Sequence, residues 1–252
     1  AASALTGNAN TAVGFKSLYI AQGTAHTNTA VGQNTLQALT TGFRNVAMGG
    51  ASGYSLTTGT ENTMIGTDAG GNTVDSGGHT LVGFDAGGNG DIANDGVTAI
   101  GHSAGAAITS AQRITAVGYA ALFSEDAGSY QTAVGYQALS QVNNDNGHNT
   151  ALGQRAGYTL TTGSSNTLIG SGADASANSG TGQIAIGQGV ACAGDNIATL
   201  GIGSNTASLG LDGSDTSWAA ASSDERLKEN IETSSAGLGF INDLRPVTYN
   251  WK

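Results

Sequence analysis

The side chains that could act as catalysts or metal ligands are scattered along this sequence rather than clustered. Acidic residues, which could supply a general acid and a general base, recur at Asp68, Asp85, Glu125, Asp126, Asp145 and Asp174. They fall at different points of the repeat described below, so we interpret them as solvated turn residues and not as the paired carboxylates of a glycosidase. The histidines are scattered in the same way, at His26, His79, His102 and His148. The sequence therefore predicts neither a metal site nor a catalytic cluster among these residues.

Two further features could suggest redox or metal chemistry. Cys192 is the only cysteine, which excludes an intrachain disulfide and a thiolate metal cluster and indicates a small buried apolar side chain. The segment 87–91 partly matches the glycine-rich nonapeptide of calcium-binding β-rolls, but Asp91 stands one place early and the motif is not repeated in tandem. No cofactor and no metal are expected.

The composition differs from that of a globular enzyme. The 252 residues include 41 glycines, and only 38% are apolar, against about 45–50% in typical soluble proteins. So few large side chains cannot fill one deep core, which indicates burial in thin layers between repeats or between chains. Lys and Arg total 8 against 18 Asp and Glu, which argues against nucleic-acid binding and against adsorption to an anionic membrane. No stretch approaches the roughly 20 apolar residues of a spanning helix, so no membrane insertion is expected.

A short repeat organises most of the chain. It contains the motif Asn-Thr-Ala-Val-Gly or a close variant, and its last residue defines twelve anchor glycines: Gly14, Gly32, Gly49, Gly66, Gly83, Gly101, Gly118, Gly135, Gly153, Gly170, Gly187 and Gly201. Their spacing is 17 or 18 residues for ten steps and 14 for the last. A period this short accommodates one coil of a solenoid, with two short strands and two turns. The sequence therefore predicts an all-β fold, a β-solenoid or β-roll of about twelve coils.

The strand alternation predicts which residues face inward. The residue before each anchor glycine is Val, Met, Ile or Leu, and the residue two places earlier is usually Thr, so these two columns share a face. We expect that face to be the coil interior, which argues against ice binding by the threonine column. The intervening residue, usually Ala, would then face outward and form a small apolar surface covered by a second protein chain. The column Asn10, Asn28, Asn45, Asn62, Asn149 and Asn166 predicts a ladder of stacked side-chain amides at the turns.

The pattern changes after residue 201. The short final spacing predicts a capping repeat, so we divide the chain into a solenoid shaft or head over 1–201 and a cap and linker over 202–221. The segment 222–252 holds four of the eight basic residues and the only proline, and its mixed periodicity predicts a short α+β segment. The sequence begins without an initiator Met or a signal sequence and stops inside a patterned segment, so we expect the chain to be part of a longer protein.

Two resemblances follow from these motifs. The coils resemble the β-roll heads of trimeric autotransporter adhesins and the related repeats of phage tail fibres. The segment 223–231, followed by 244–252, resembles the start of the self-cleaving intramolecular chaperone domain at the C-terminus of phage tailspikes and tail fibres. That family trimerises the preceding β-rich fibre and then releases itself with a serine–lysine dyad. Matched position by position, the resemblance implies that Ser223 is the serine at the cut, Asp224 the residue after it, and Lys228 the lysine of the dyad.

The residue types agree with that chemistry. A lysine partly stripped of water can lose its proton near neutral pH and act as the base for a serine hydroxyl. Taken alone, the same residues also fit a serine N-cap and an acidic first turn that open a helix. The two interpretations are compatible. The resemblance covers only about 30 of the 252 residues and corresponds to the start of the family's chaperone domain.

The resemblances imply a homotrimeric phage tail fibre or tailspike segment, located in the virion tail, that attaches to a glycan or protein on the host surface. Host binding is expected in the irregular turns 88–96 and 142–148, where loops can vary without disturbing the stack. Catalysis would be limited to a single self-cleavage, with a non-catalytic shaft. The alternatives are a trimeric adhesin on a bacterial cell surface and a tailspike that depolymerises glycans.

Overall fold

The structure is a computed structural model, which describes residues 7–21, 24–93, 96–144, 147–211, 213 and 219–220. Within these ranges the fold is all-β, with strands and turns and no helix. No helix in the described ranges is therefore long and apolar enough to cross a membrane. The predicted β-solenoid is confirmed, with about eleven turns between the first and the twelfth strand. The α+β segment expected over 222–252 lies outside the described residues.

A single sheet runs through the described part of the chain, and its strands follow one another in sequence order. Strands β1 to β12 pair in parallel, each with the next, and the register matches the columns of the sequence repeat. The strand bounds are β1 Thr11–Val13, β2 Thr29–Val31, β3 Val46–Met48, β4 Thr63–Ile65, β5 Thr80–Val82, β6 Thr98–Ile100, β7 Thr115–Val117, β8 Thr132–Val134, β9 Thr150–Leu152, β10 Thr167–Ile169, β11 Ile184–Ile186, β12 Ile197–Ile202, β13 Asn205–Gly210 and β14 Ala219–Ala220.

Each of the first eleven coils contains one three-residue strand, not the two strands expected from the period. The remainder of the coil is a succession of turns, and every described anchor glycine from Gly14 to Gly187 has a positive φ between 125° and 143°. This backbone conformation is open to glycine but costly for other residues. A side chain on an anchor glycine would also overlap the backbone of the next coil. The anchor glycines thus end each strand and permit close stacking, which leaves no length for a second regular strand.

The inward and outward faces are the reverse of those predicted. The alanine column is fully buried, as at Ala30, Ala47 and Ala99, whereas the threonine and aliphatic columns on either side of it are half-buried or exposed. The sequence pattern correctly separates two faces but does not decide which one is inside. The interior is narrow, and a second set of buried side chains, such as Leu18 and Leu39, comes from the turns. Little room therefore remains opposite the strand.

Large and small residues alternate across this interior. Where the strand contributes Met64 or Leu81, the facing turn has Gly70 or Gly87, and a Cβ on either glycine would contact those side chains at 2.8–3.0 Å. Where the strand contributes alanine, as in β7 and β8, the turn usually supplies a leucine, such as Leu122. The summed volume of each layer is thus kept nearly constant, as close packing requires.

The asparagine column forms the predicted amide ladder. Asn28 Nδ2 and backbone N–H both donate to Asn10 Oδ1, at 3.1 and 2.9 Å, and Asn28 Oδ1 in turn accepts from Asn45 at the same two groups. Asn28 Nδ2 also donates to Gly42 O at 2.9 Å. The ladder satisfies buried backbone groups at one corner of the coil. At the C-terminal end of the stack, β13 pairs antiparallel with β12, and β14 pairs antiparallel with β13.

Candidate functional site

The three residues assigned to self-cleavage cannot be located in the structure. Ser223, Asp224 and Lys228 lie outside the described residues. Their roles remain the prediction that the sequence resemblance supplies.

The prediction that all acidic residues of the solenoid fall at different points of the repeat is wrong for one pair. Asp68 and Asp85 both stand two residues after an anchor glycine, on consecutive coils, and their carboxylates interact electrostatically. Asp174 instead accepts a hydrogen bond from the Thr159 N–H at 3.1 Å, and Asp126 accepts through its backbone carbonyl. Asp145 lies outside the described residues.

Three of the four histidines are held by contacts with nearby side chains. His79 is buried and bonded to Ser76 Oγ at 2.9 Å, and His26 and His148 each stack on an aromatic ring of a neighbouring coil. Within the described ranges, no three His, Cys, Asp or Glu residues come together as metal ligands. In the glycine-rich segment, Asp91 Oδ1 accepts a hydrogen bond from the Val74 N–H at 3.0 Å, so this carboxylate ties two coils together.

One buried carboxylate interrupts the apolar interior. Glu125 is fully buried and stands seven residues after its anchor glycine, where other coils have Leu39, Leu56 or Leu160. Its carboxylate accepts hydrogen bonds from the Gly128 N–H at 2.6 Å, from Ala127, and from the Gln131 side chain. Burial raises the pKa of Glu125 to about 7, although the donated hydrogen bonds act in the opposite direction. Gln131 stands where several coils have the asparagine of the amide ladder. The carboxylate in place of leucine and the glutamine in place of asparagine therefore contact each other.

The outward face of the sheet is uncharged and combines an aliphatic column with a threonine column. The column before the anchor glycines consists of twelve aliphatic residues, and the column two places earlier is mostly threonine. Met48, Ile65 and Ile100 on this face are 42%, 37% and 38% exposed. We call these two columns the sheet face. Since the threonine column lies outside, the reason given above against ice binding no longer holds.

A row of aromatic rings lies beside the sheet face. Phe84, His102, Tyr119 and Tyr136 each follow an anchor glycine, and successive ring centroids are 4.9, 5.1 and 5.3 Å apart. Arg155 lies over the last ring, 6.0 Å from its centroid. These rings stack mainly on one another and leave their edges to solvent, which extends the apolar surface of the sheet face.

A groove of about 320 Å³ opens on the turn side of the third to fifth coils. Its lining includes Tyr54, Asp68, Asn72, Asp85 and Asn89. Asn89 Nδ2 donates to Asp85 Oδ2 at 2.9 Å, and Asn72 Nδ2 donates to Asn89 O at 3.2 Å. Sequence reasoning missed this groove, although a signal was available: Asp and Asn recur at matching positions of two consecutive coils.

Comparison with known proteins identifies the end of the chain and not the solenoid. Residues 223–252 match the family described as chaperone of endosialidase. No curated protein and no solved structure matches the chain. The match and the β-solenoid together fit a protein related to phage tail fibres or tailspikes, and they suggest a homotrimer.

Proposed function

We propose that this chain is a segment of a homotrimeric phage tail fibre or tailspike that attaches the virion to its host. The observation that carries the proposal is the order of the two parts: a β-solenoid with an unpaired apolar face is followed directly by the matched chaperone segment 223–252. A chaperone that assembles chains is needed where each chain has a surface that must be covered by copies of itself.

The sheet face is the surface that the chains share in this proposal. It has no charged side chain in either column, and its aliphatic column runs through the parallel stack from Val13 to Leu200. A monomeric protein rarely exposes a continuous apolar strip of this extent. Closure of three such faces around one axis would remove them from water and leave the turns outside, where a host surface can reach them.

Self-cleavage completes the assembly. In this proposal the Lys228 amine accepts the proton of the Ser223 hydroxyl, and the serine oxygen attacks the carbonyl carbon of the peptide bond that precedes Ser223. The C–N bond of that peptide breaks, its nitrogen takes the proton back from the Lys228 ammonium, and an ester to the serine oxygen remains. Water hydrolyses the ester, which restores the Ser223 hydroxyl and leaves a carboxylate at the end of the shaft. Cleavage removes the chaperone once the shaft is assembled, which makes the assembled state kinetically stable.

The test is the mass of the chain expressed together with its native downstream sequence, measured by native and denaturing mass spectrometry on one sample. We expect a trimer whose subunits end beside Ser223, and an uncut trimer for Ser223→Ala. An uncut monomer of the unaltered sequence would contradict the proposal. An assay of ice recrystallisation would then test whether the exposed threonine column has a different role.

Two alternatives differ in measurable ways. A bacterial surface adhesin would be encoded with a membrane anchor downstream and not with the remainder of a chaperone. A depolymerising tailspike would shorten host polysaccharide when the purified shaft is added to it, whereas a binding segment would leave the chain length unchanged.

A further inference from the structure

The groove beside Tyr54 exists because two consecutive coils lack a side chain. Five residues after the anchor glycine, four coils have an aromatic residue (Tyr19, Tyr54, Phe123 or Tyr158) and others have Gln37, Ala106, Ser140 or Ala175, but the fourth and fifth coils have Gly71 and Gly88. Neither glycine has a positive φ, so the backbone conformation does not require glycine there. Both glycines line the groove, and their missing side chains leave space there.

The two glycines shape the groove in different ways. A Cβ at Gly88 would overlap Asp85 Oδ1 and Asp68 O, so only glycine lets the Asp85 carboxylate turn across this position. A Cβ at Gly71 would lie 3.3 Å from Asp68 O, a contact that a small adjustment can relieve. A side chain at Gly71 would therefore fill the groove with a shift of only a few tenths of an ångström in the neighbouring backbone, in contrast to one at Gly88.

The polar groups of the groove form a matched set of acceptors and donors. Asp68 and Asp85 are half-buried, and within the described residues the Asp68 carboxylate accepts no hydrogen bond. Burial raises the pKa of Asp85, the hydrogen bond from Asn89 lowers it, and the nearby charge of Asp68 raises it again. Carboxylates a coil apart can accept hydrogen bonds from hydroxyl groups of a ligand, and the amide N–H groups beside them can donate to the oxygens of such groups. The ring of Tyr54, which is 41% exposed, supplies an apolar wall.

Charge restricts the ligand. The groove lining contains two carboxylates and no Lys or Arg, and the chain as a whole has a formal charge of −10. A sialic or uronic acid would meet like charges in a partly desolvated site. A neutral sugar, or one with a protonated amine, would not.

We infer that this groove binds a non-acidic sugar unit, a neutral hexose or an amino sugar of a surface polysaccharide. The inference rests on the proposed attachment function and deepens it by naming the site and the sugar class. Gly88 and Asn89 belong to the turn 88–96 in which host binding was expected from the sequence, whereas Tyr54, Asp68 and Asn72 come from earlier coils.

The test uses the full chain, assembled with its native downstream sequence, on immobilised oligosaccharides of four kinds: neutral hexoses, N-acetylhexosamines, free hexosamines, and sialic or uronic acids. We expect binding to at least one non-acidic kind and none to the acidic ones. The paired change Asp68→Asn and Asp85→Asn is expected to weaken that binding at least tenfold, and Gly71→Tyr is expected to abolish it with an unchanged melting temperature. Glu61→Gln, which removes one exposed carboxylate elsewhere, serves as the control.

Two outcomes would overturn the inference: an absence of binding to every non-acidic oligosaccharide, or binding that the groove variants leave intact. Whole-cell binding to a susceptible host separates this failure from that of the proposed function. If the trimer adheres to cells and Gly71→Tyr adheres equally well, the groove is not the site but the attachment function stands. If the unaltered trimer adheres to no host, the attachment function itself fails.

Discussion

At the scale of single residues, the buried carboxylate of Glu125 gives the solenoid a pH dependence. The pKa of Glu125 is about 7 in the folded chain, and an unfolded glutamate has an ordinary pKa near 4.3. Between these values the folded state binds more protons than the unfolded state, so the free energy of unfolding falls as the pH rises. The loss is expected to reach up to about 4 kcal/mol above pH 7.

The change Glu125→Gln tests this. We expect the variant to lack the decline in unfolding midpoint between pH 5 and pH 8 and to exceed the unaltered chain in stability at pH 8. The exposed variant Glu61→Gln, which only removes a surface ion pair with Arg44, should keep the decline. An equal slope in the Glu125→Gln variant would show that other groups cause it.

Burial and close packing of the interior leucines stabilise the stacked strands. Leu81 is fully buried and its methyl groups fill the space left by Gly70 and Gly87. We expect Leu81→Ala to lower the free energy of unfolding by roughly 2–5 kcal/mol, because glycines on both sides cannot close the cavity. Truncation of the exposed Phe123 to alanine should change it by less than about 0.5 kcal/mol. Denaturant titration of the two variants compares them directly.

At the scale of one coil, the solenoid is modular where neighbouring layers have the same residue sizes. Residues 119–135 form one repeat of 17 residues. Without them, Gly118 would be followed by Tyr136, and β7 would pair with β9. The new interior layer would consist of Ala116, Leu139 and Ala151. Its side chains would have the same sizes as those of the layer that it replaces. The deletion also removes Glu125, the one carboxylate of that interior column among the described residues.

We therefore expect the chain lacking residues 119–135 to fold, assemble and bind its host as the complete chain does. Circular dichroism, native mass spectrometry and cell binding measure the three properties. Deletion of ten residues, 119–128, is the matched control, because it breaks the register of every later coil and should prevent folding. Failure of the 17-residue deletion to fold would show that the coils are not interchangeable.

Much of the element scale could be predicted from the sequence. The anchor glycines gave the coil boundaries and the strand register, and the asparagine column gave the amide ladder. The face of the strand that points into the coil could not be predicted, because either face of Thr-Ala-Val could pack in an interior. The inward face is decided by the space that buried side chains of the turns, such as Leu36, leave opposite the strand. The groove escaped notice because it is formed by missing side chains at Gly71 and Gly88. Ser223 and Lys228, which the resemblance assigns to cleavage, remain predictions.

At the scale of the whole molecule, the proposed trimer depends on burial of the uncharged sheet face. Ile100 lies in its centre and is 38% exposed, in the aliphatic column that continues through the coils before and after it. A lysine there would place a charge in the middle of the shared surface, where desolvation without a partner is costly. The same lysine would be tolerated in a monomer, because the position would stay in water.

Ile100→Lys is therefore expected to abolish the trimer and leave the coil fold intact. The control is Phe123→Lys, which adds the same charge at an exposed apolar residue of the turns and should leave the trimer unchanged. Native mass spectrometry reports the assembly, and circular dichroism reports the fold. If Ile100→Lys still trimerises, the chains meet through another surface. If both variants lose the trimer, added positive charge rather than the sheet face controls assembly. Only loss of the trimer in Ile100→Lys alone fits a shaft whose three chains share this face.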